Sequence, residues 1–323
     1  MTGLERRPLG GTGIAVSCLA LGGHEYLPDG GLKGFADDFG RAIQPGYSRP
    51  DFGGEQRRAL VGRALDRGVN YFDATIDPEV EALGRALGSH GSRSADVLVQ
   101  VRPQGMCYRY DPGNTAMLRP GQLAGEARRL RELLRRDRID VLNLGIERDA
   151  LDPVTGNPDY LKVLAEVLAE LRADGVVRFV ACDTLFSGER QYVALIESGC
   201  FDVVWLSLGP LNPAPREVVL PLARRAGLGV VAREAFAKGR LFDLGRAVGV
   251  DLGVLAAAAL SWVLDHRAVS ALAVGVRTVA EFDADADAAG AELSDEGRAV
   301  LDQVLATDVA RAAVAESERA FRG

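Results

Sequence analysis

Eight times along this chain a short apolar run gives way to a stretch with helical spacing, and this alternation constrains the fold more than any other feature. The apolar runs lie at residues 18–22, 69–74, 96–102, 139–144, 176–182, 201–206, 228–233 and 269–275. The segments at 54–67, 78–87, 121–135, 160–173, 189–198, 216–226, 254–265 and 279–288 carry amphipathic or apolar helical spacing. Strands alternating with helices at this interval predict a parallel sheet. Eight units with near-continuous apolar strands predict a closed (β/α)8 TIM barrel rather than an open sheet. Residues 6–17 read as an N-terminal β-hairpin around a Gly-rich turn, and residues 295–305 and 309–321 as extra C-terminal helices on the outside. With 323 residues, 47% of them apolar, the chain can fill a full-sized core, and no break in composition divides it, so one domain spanning 1–323 is expected.

A barrel of this kind gathers its strand-end side chains on one face. The run Val69-Asn70-Tyr71-Phe72-Asp73-Ala74 delivers one carboxylate, Asp73, at its tip, either as a site residue or as a cap for the following helix. Residues 23–53 form a long Gly- and Pro-rich segment after the first strand, and its aromatic residues Tyr26, Phe35, Phe39, Tyr47 and Phe52 predict a folded lid rather than a linker. A net charge of −7 with acids and bases interspersed argues against nucleic acid or an anionic membrane as partner. Four dispersed cysteines predict free buried thiols, and with no signal-like or membrane-spanning run a cytoplasmic location is expected. Three scattered histidines without a cysteine pair offer no metal-ligand spacing. The pattern sets no oligomeric state.

Several short motifs, in order along nearly the whole chain, resemble the aldo-keto reductase superfamily. They are Leu9-Gly10-Gly11-Thr12-Gly13, the Gly68 to Asp73 strand, Glu81 to Leu87, Arg138-Ile139-Asp140 and Gly275-Val276-Arg277-Thr278. The resemblance implies a (β/α)8 barrel that reduces carbonyls with NADP(H). It also implies a tyrosine that protonates the carbonyl oxygen, a lysine and an aspartate that tune it, and a histidine that orients the substrate. Only the aspartate is retained, as Asp73. The tyrosine is missing from Ala74-Thr75-Ile76-Asp77-Pro78, the lysine position holds Arg102, and the histidine position holds Gly145. Arg102 can pair with Asp73 but cannot surrender a proton, and Gly145 is expected to enlarge the pocket. The proton must then come from another acid near the barrel mouth. His24, Tyr26, Asp77, Tyr108 and Tyr110 are the candidates, against plain loop packing for the tyrosines and solvent exposure for His24.

On the cofactor side, the resemblance assigns Gly275, Arg277, Thr278 and Glu281 to a nucleotide phosphate at a helix start, favouring NADP(H), with NAD(H) as the other choice. Arg277 and Thr278 also suit an ordinary helix cap with a solvated arginine. Asp285 falls where the adenine contact is expected, Asp183 and Thr184 where the carboxamide is held, Trp205 at a strand glutamine, and Arg233, followed by Glu234, where an aromatic residue stacks on nicotinamide. These residues frame three readings. The first is a divergent NAD(P)H-dependent oxidoreductase acting on a carbonyl or hydroxyl of a polar small molecule. The second is a non-redox lyase or epimerase on the same scaffold, and the third a catalytically silent binding protein. The dense ring of ionisable residues speaks against the third, because burying charge is costly.

Overall fold

A computed structural model describes residues 3–36, 38–152, 156–184 and 188–323. A two-stranded antiparallel hairpin, β1 (Arg6–Pro8) and β2 (Ala15–Ser17), precedes the barrel. The barrel strands are β3 (Leu19–Leu21), β4 (Tyr71–Ala74), β5 (Leu98–Val101), β6 (Ile139–Gly145), β7 (Val177–Asp183), β8 (Val203–Ser207), β9 (Gly229–Arg233) and β10 (Ala271–Val274). They pair in parallel in chain order, and β10 closes onto β3. The predicted (β/α)8 barrel with its N-terminal hairpin and C-terminal helices is therefore the observed architecture.

The hairpin plugs the N-terminal end of the barrel. Leu9 and Val16 are fully buried against the inward-facing Tyr71, Leu98, Val141, Ala181, Val203, Trp205, Val231 and Ala271. The fit requires Gly10, because a Cβ there would lie 2.2 Å from the Gly229 backbone nitrogen. The larger core lies between strands and helices, where residues such as Val61, Leu83, Leu130, Leu168 and Phe282 are buried. Helix positions follow the apolar spacing to within a few residues, from Gly54–Asp66 and Asp77–Ser89 through Val279–Ala289, Asp295–Leu305 and Asp308–Arg322. Among the described residues one helix longer than a single turn escaped the sequence reading: Arg240–Val248, which starts after left-handed Gly239 and ends at left-handed Gly249.

The described residues of the 23–53 segment fold back on the C-terminal face. Tyr26 bridges Leu32, and a short helix spans Phe39–Ala42. Ala42 and Phe52 pack with Ile76 and Ala82, flanked by Phe35 and Tyr47. Asp77 secures the segment by accepting a hydrogen bond from the Gly46 backbone N–H at 2.6 Å while also gripping Arg129. Asp77 is thus committed to structure and is no free acid. All four cysteines are buried free thiols. Among the described residues no helix is long and apolar enough to cross a membrane, and no cluster of side chains could hold a metal ion.

Candidate active site

Side chains alternate along a strand, so the residue two places beyond each plug contact faces the barrel mouth. The register sets Asp73 beside Gln100, Gly145 beside Asp183, and Ser207 beside Arg233. Two polar systems fill this end.

The first runs up the barrel axis. The Trp205 indole N–H donates to the Tyr71 hydroxyl at 3.4 Å, Tyr71 donates to Gln100 Oε1 at 3.0 Å, and Gln100 Nε2 donates to Asp73 Oδ1 at 2.7 Å. Burial raises the Asp73 pKa, opposed by the positive charge of Arg102, the Gln100 hydrogen bond and His24. Trp205 is only 2% exposed, one layer below the mouth. Trp205, expected on the cofactor side, anchors the chain that orients Asp73.

Beside Asp73 lies a pair that the sequence reading only half found. His24 Nδ1 is 2.8 Å from Glu79 Oε1, and the other Glu79 oxygen accepts the backbone N–H groups of Thr75 at 2.9 Å and Ile76 at 3.4 Å. Glu79 therefore caps the helix after β4 and fixes the His24 ring at once. Burial alone would lower the His24 pKa, but the Glu79 charge and hydrogen bond, with help from Asp73, outweigh it and raise the pKa. Burial pushes Glu79 up, and His24 with the two backbone donors brings it below its ordinary value. The Glu79 side chain is 1% exposed and that of His24 35%. A carboxylate buried on one ring nitrogen leaves the other, Nε2, as the proton-exchanging atom.

The second system centres on Asp183 at the end of β7, fully buried. Arg233 Nη2 donates to Oδ1 at 2.8 Å and Arg233 Nη1 to Oδ2. Arg102 Nη1 at 3.1 Å and the Tyr108 hydroxyl at 2.7 Å also donate to Oδ2. Two cations around one anion are held by a bidentate fork and a charge-assisted O–H bond. Arg102 thus pairs with Asp183, and the expected Arg102–Asp73 pair is replaced by a longer-range attraction. The reason is register: Gly145 leaves the top of β6 bare, so Arg102 reaches across to β7.

Gly145 does not enlarge the pocket as expected. A Cβ there would meet the Tyr108 ring at 2.4 Å, so the ring occupies the space beside the bare strand. Tyr108 holds this place with φ +52°, a conformation costly for a bulky side chain. Asn114, fully buried, fixes the loop by donating to the Met106 and Tyr108 carbonyls at 2.9 and 3.1 Å. The Tyr108 hydroxyl, one of the expected candidates for the acid, donates to Asp183. Tyr110 packs edge-on against Tyr108 and Phe39, and burial raises its pKa. Asn143 was overlooked, although a polar residue inside an apolar strand was its signal: both its side-chain polar atoms are buried and without a partner among the described residues.

At the rim, Thr184 is buried beside Tyr192. Glu234, with φ +61°, accepts from Ser207 Oγ at 3.0 Å. After β10, Thr278 caps the helix Val279–Ala289 by accepting the Glu281 N–H. Glu281 pairs with Arg277, accepting its backbone N–H at 2.7 Å and its Nε and Nη2 at 3.1 and 2.7 Å. Arg277, expected at a nucleotide phosphate, is an exposed cation paired with Glu281. Asp285, half-buried one turn on, is pushed up to about 7 by burial and by Glu281. The Tyr26 hydroxyl lies over Gly275, 2.4 Å from where a Cβ would stand.

No protein-family model matches the chain, and no curated protein matches it. Solved structures do. Aldo-keto reductase AKR11C1 from Bacillus halodurans, in its holo form, superposes with a TM-score of 0.66 at 19% identity over 93% of this chain and 96% of that one. Its apo form gives 0.64 at 18% identity over the same shares. A Pseudomonas aeruginosa protein assigned as an aldo-keto reductase gives 0.59 at 19% identity over 88% and 94%. The chain has the barrel fold of these aldo-keto reductases.

Proposed function

We propose that this protein is a nicotinamide-dependent oxidoreductase acting on a carbonyl or hydroxyl of a polar small molecule, with His24 as its proton donor. The observation that carries the reading is the His24–Glu79 pair beside Asp73 at the barrel mouth. A general acid must carry its proton before it acts, and Glu79 favours the protonated His24 ring. Asp73, oriented by Gln100, favours the protonated ring and holds it toward the mouth. Arg102 and Arg233, locked on Asp183, line the neighbouring wall and favour a polar substrate.

The chain's residues suit NAD(H) better than NADP(H). A bound dihydronicotinamide would supply the hydride. Arg277 and the start of the helix Val279–Ala289 would meet the adenosine end, where the Glu281 carboxylate would accept from a ribose hydroxyl and, already occupying Arg277, would leave that arginine less available to a 2′-phosphate. Thr278 and Gly275 flank that contact, and Asp285 adds a second acid to it. Arg233 would offer a flat guanidinium as stacking surface, with Asp183 holding it, Thr184 beside it and Glu234 at its edge.

A second reading keeps the acid–base pair and discards the hydride. It is favoured by the commitment of both Asp183 oxygens to arginines and Tyr108, which leaves neither of them free for a carboxamide. Titration of the purified protein with NADH and NADPH, followed by nicotinamide fluorescence, separates the two. The oxidoreductase reading expects NADH to bind more tightly than NADPH. Absence of binding by either at millimolar concentration would leave a lyase or epimerase.

A further inference from the structure

Beside the hairpin, at the opposite end of the barrel from His24, a groove of about 890 Å³ lies between the C-terminal ends of the helices Asp77–Ser89 and Gln122–Leu134 and the starts of β5, β6 and β7. Five arginines line it, Arg85, Arg135, Arg136, Arg138 and Arg178, against three aspartates, in a chain whose net charge is −7. Helix C-termini favour cations, which accounts for the arginines near these two ends. It does not account for Arg138, which leads into β6, or for Arg178 in β7.

The acids of the groove leave these guanidiniums open. The Asp140 side chain is 5% exposed and accepts the Val99 backbone N–H at 3.1 Å. It lies 3.5 Å from Arg136 Nη2 and 3.7 Å from Arg138 Nε, longer than the contacts of a hydrogen-bonded ion pair. Arg136 turns instead to the Ser94 and Val97 carbonyls, at 3.4 and 3.1 Å. Arg178 stands beside Asp140 in the sheet, because Val177 and Phe179 pair with Ile139 and Val141. Its guanidinium carbon is 4.9 Å from the Phe179 ring centre, and it makes no hydrogen bond or ion pair among the described residues. One buried carboxylate thus faces three guanidiniums, and Arg138 is 51% exposed. At the outer edge Arg135, 62% exposed, reaches Glu81 only at 4.0 Å, and Arg85 already holds that acid. Asp96 and Asp137 are exposed and lie within ion-pair distance of none of the five among the described residues.

Accessible guanidinium forks spread along one groove match the oxygens of several phosphoryl groups rather than a single charge. None of the lining residues is aromatic, so the groove offers no ring on which a base could stack. We propose that this groove binds an oligophosphate, with Arg138 and Arg178 on its phosphoryl oxygens beside Asp140 and Arg135 at the outer end. The site is separate from the barrel mouth and independent of the reaction carried out there.

The probe is inorganic triphosphate, titrated into the full-length protein by calorimetry at about 50 mM salt, where exposed charges are weakly screened. It should bind at a single site. Arg138→Gln and Arg178→Gln together should weaken it by about tenfold or more. Arg311→Gln, which removes an exposed arginine of the helix Asp308–Arg322, should leave it unchanged. If the double variant fails to fold, Arg138→Gln alone decides, with a loss of about threefold or more. Citrate, a carboxylate trianion, should bind about tenfold more weakly than triphosphate, and ATP no more tightly. The proposal is overturned if triphosphate does not bind at millimolar concentration, or if the variants at 138 and 178 bind it like the unmodified protein. It is equally overturned if Arg311→Gln weakens binding as much as they do, or if citrate matches triphosphate. ATP binding about tenfold more tightly than triphosphate would assign the groove to a nucleotide and overturn it too.

Discussion

The Tyr108 ring stands where a side chain on Gly145 would have to be: a Cβ on Gly145 would lie 2.4 Å from Tyr108 Cε1. The same tyrosine donates to Asp183 at 2.7 Å and packs under Arg102, whose guanidinium carbon is 5.2 Å from the ring centre. The bare strand end, the left-handed tyrosine and the pair of arginines on one aspartate are therefore one arrangement.

Gly145→Ala should expel Tyr108 and break its bond to Asp183. Overpacking at a buried site, together with a lost charge-assisted hydrogen bond, predicts a loss of about 2–4 kcal/mol in denaturant unfolding. A stability loss below about 0.5 kcal/mol would mean that the ring is free to move aside.

His24→Gln and Tyr108→Phe discriminate between the two candidate donors. With a carbonyl substrate followed by nicotinamide oxidation, His24→Gln should lower kcat about 10²–10⁴-fold. Tyr108→Phe should stay within about tenfold, because it loses only the bond that steadies Asp183. The reverse order would assign the proton to Tyr108.

Asp285→Asn tests the cluster at the start of the last barrel helix. The folded protein holds Asp285 up to about 7, whereas the unfolded chain titrates near the ordinary carboxylate value. Between these values the unfolded chain releases a proton that the folded state keeps, so stability falls as pH rises through that window. The amide removes the effect: it should stabilise the protein by about 1–3 kcal/mol at pH 8 and change little near pH 4. Equal effects at both pH values in chemical denaturation would contradict this account.

The barrel was legible because its signals are local and repeated: apolar runs such as 139–144 and helices stopped by glycines survive without knowledge of their neighbours. The site was legible only as positions. Asp73 and His24 could be placed on the mouth from strand order alone, but their partners come from elsewhere in the chain. Glu79 read as an ordinary acidic residue in a first helical turn, and only the fold of the 23–53 segment brings His24 onto it. Arg102 and Gly145 misled together, since removing bulk from one strand end redirected a charged side chain on the next. Helix Arg240–Val248 was missed because it follows β9 through an irregular turn at Ala237–Gly239.

The central claim is that Glu79 holds His24 in its protonated form above the ordinary histidine value, and nitrogen NMR of the three histidines through a pH titration tests it most directly. His24 should titrate above its ordinary value near 6.5, with the proton exchanging at Nε2. The matching stability is complete below that value and is lost as pH rises through the raised one. In Glu79→Gln, His24 should titrate lower, because burial then acts with less opposition, and the pH dependence of stability above 6.5 should flatten. A His24 that titrates at or below its ordinary value in the unmodified protein, and does not move in Glu79→Gln, would contradict the account.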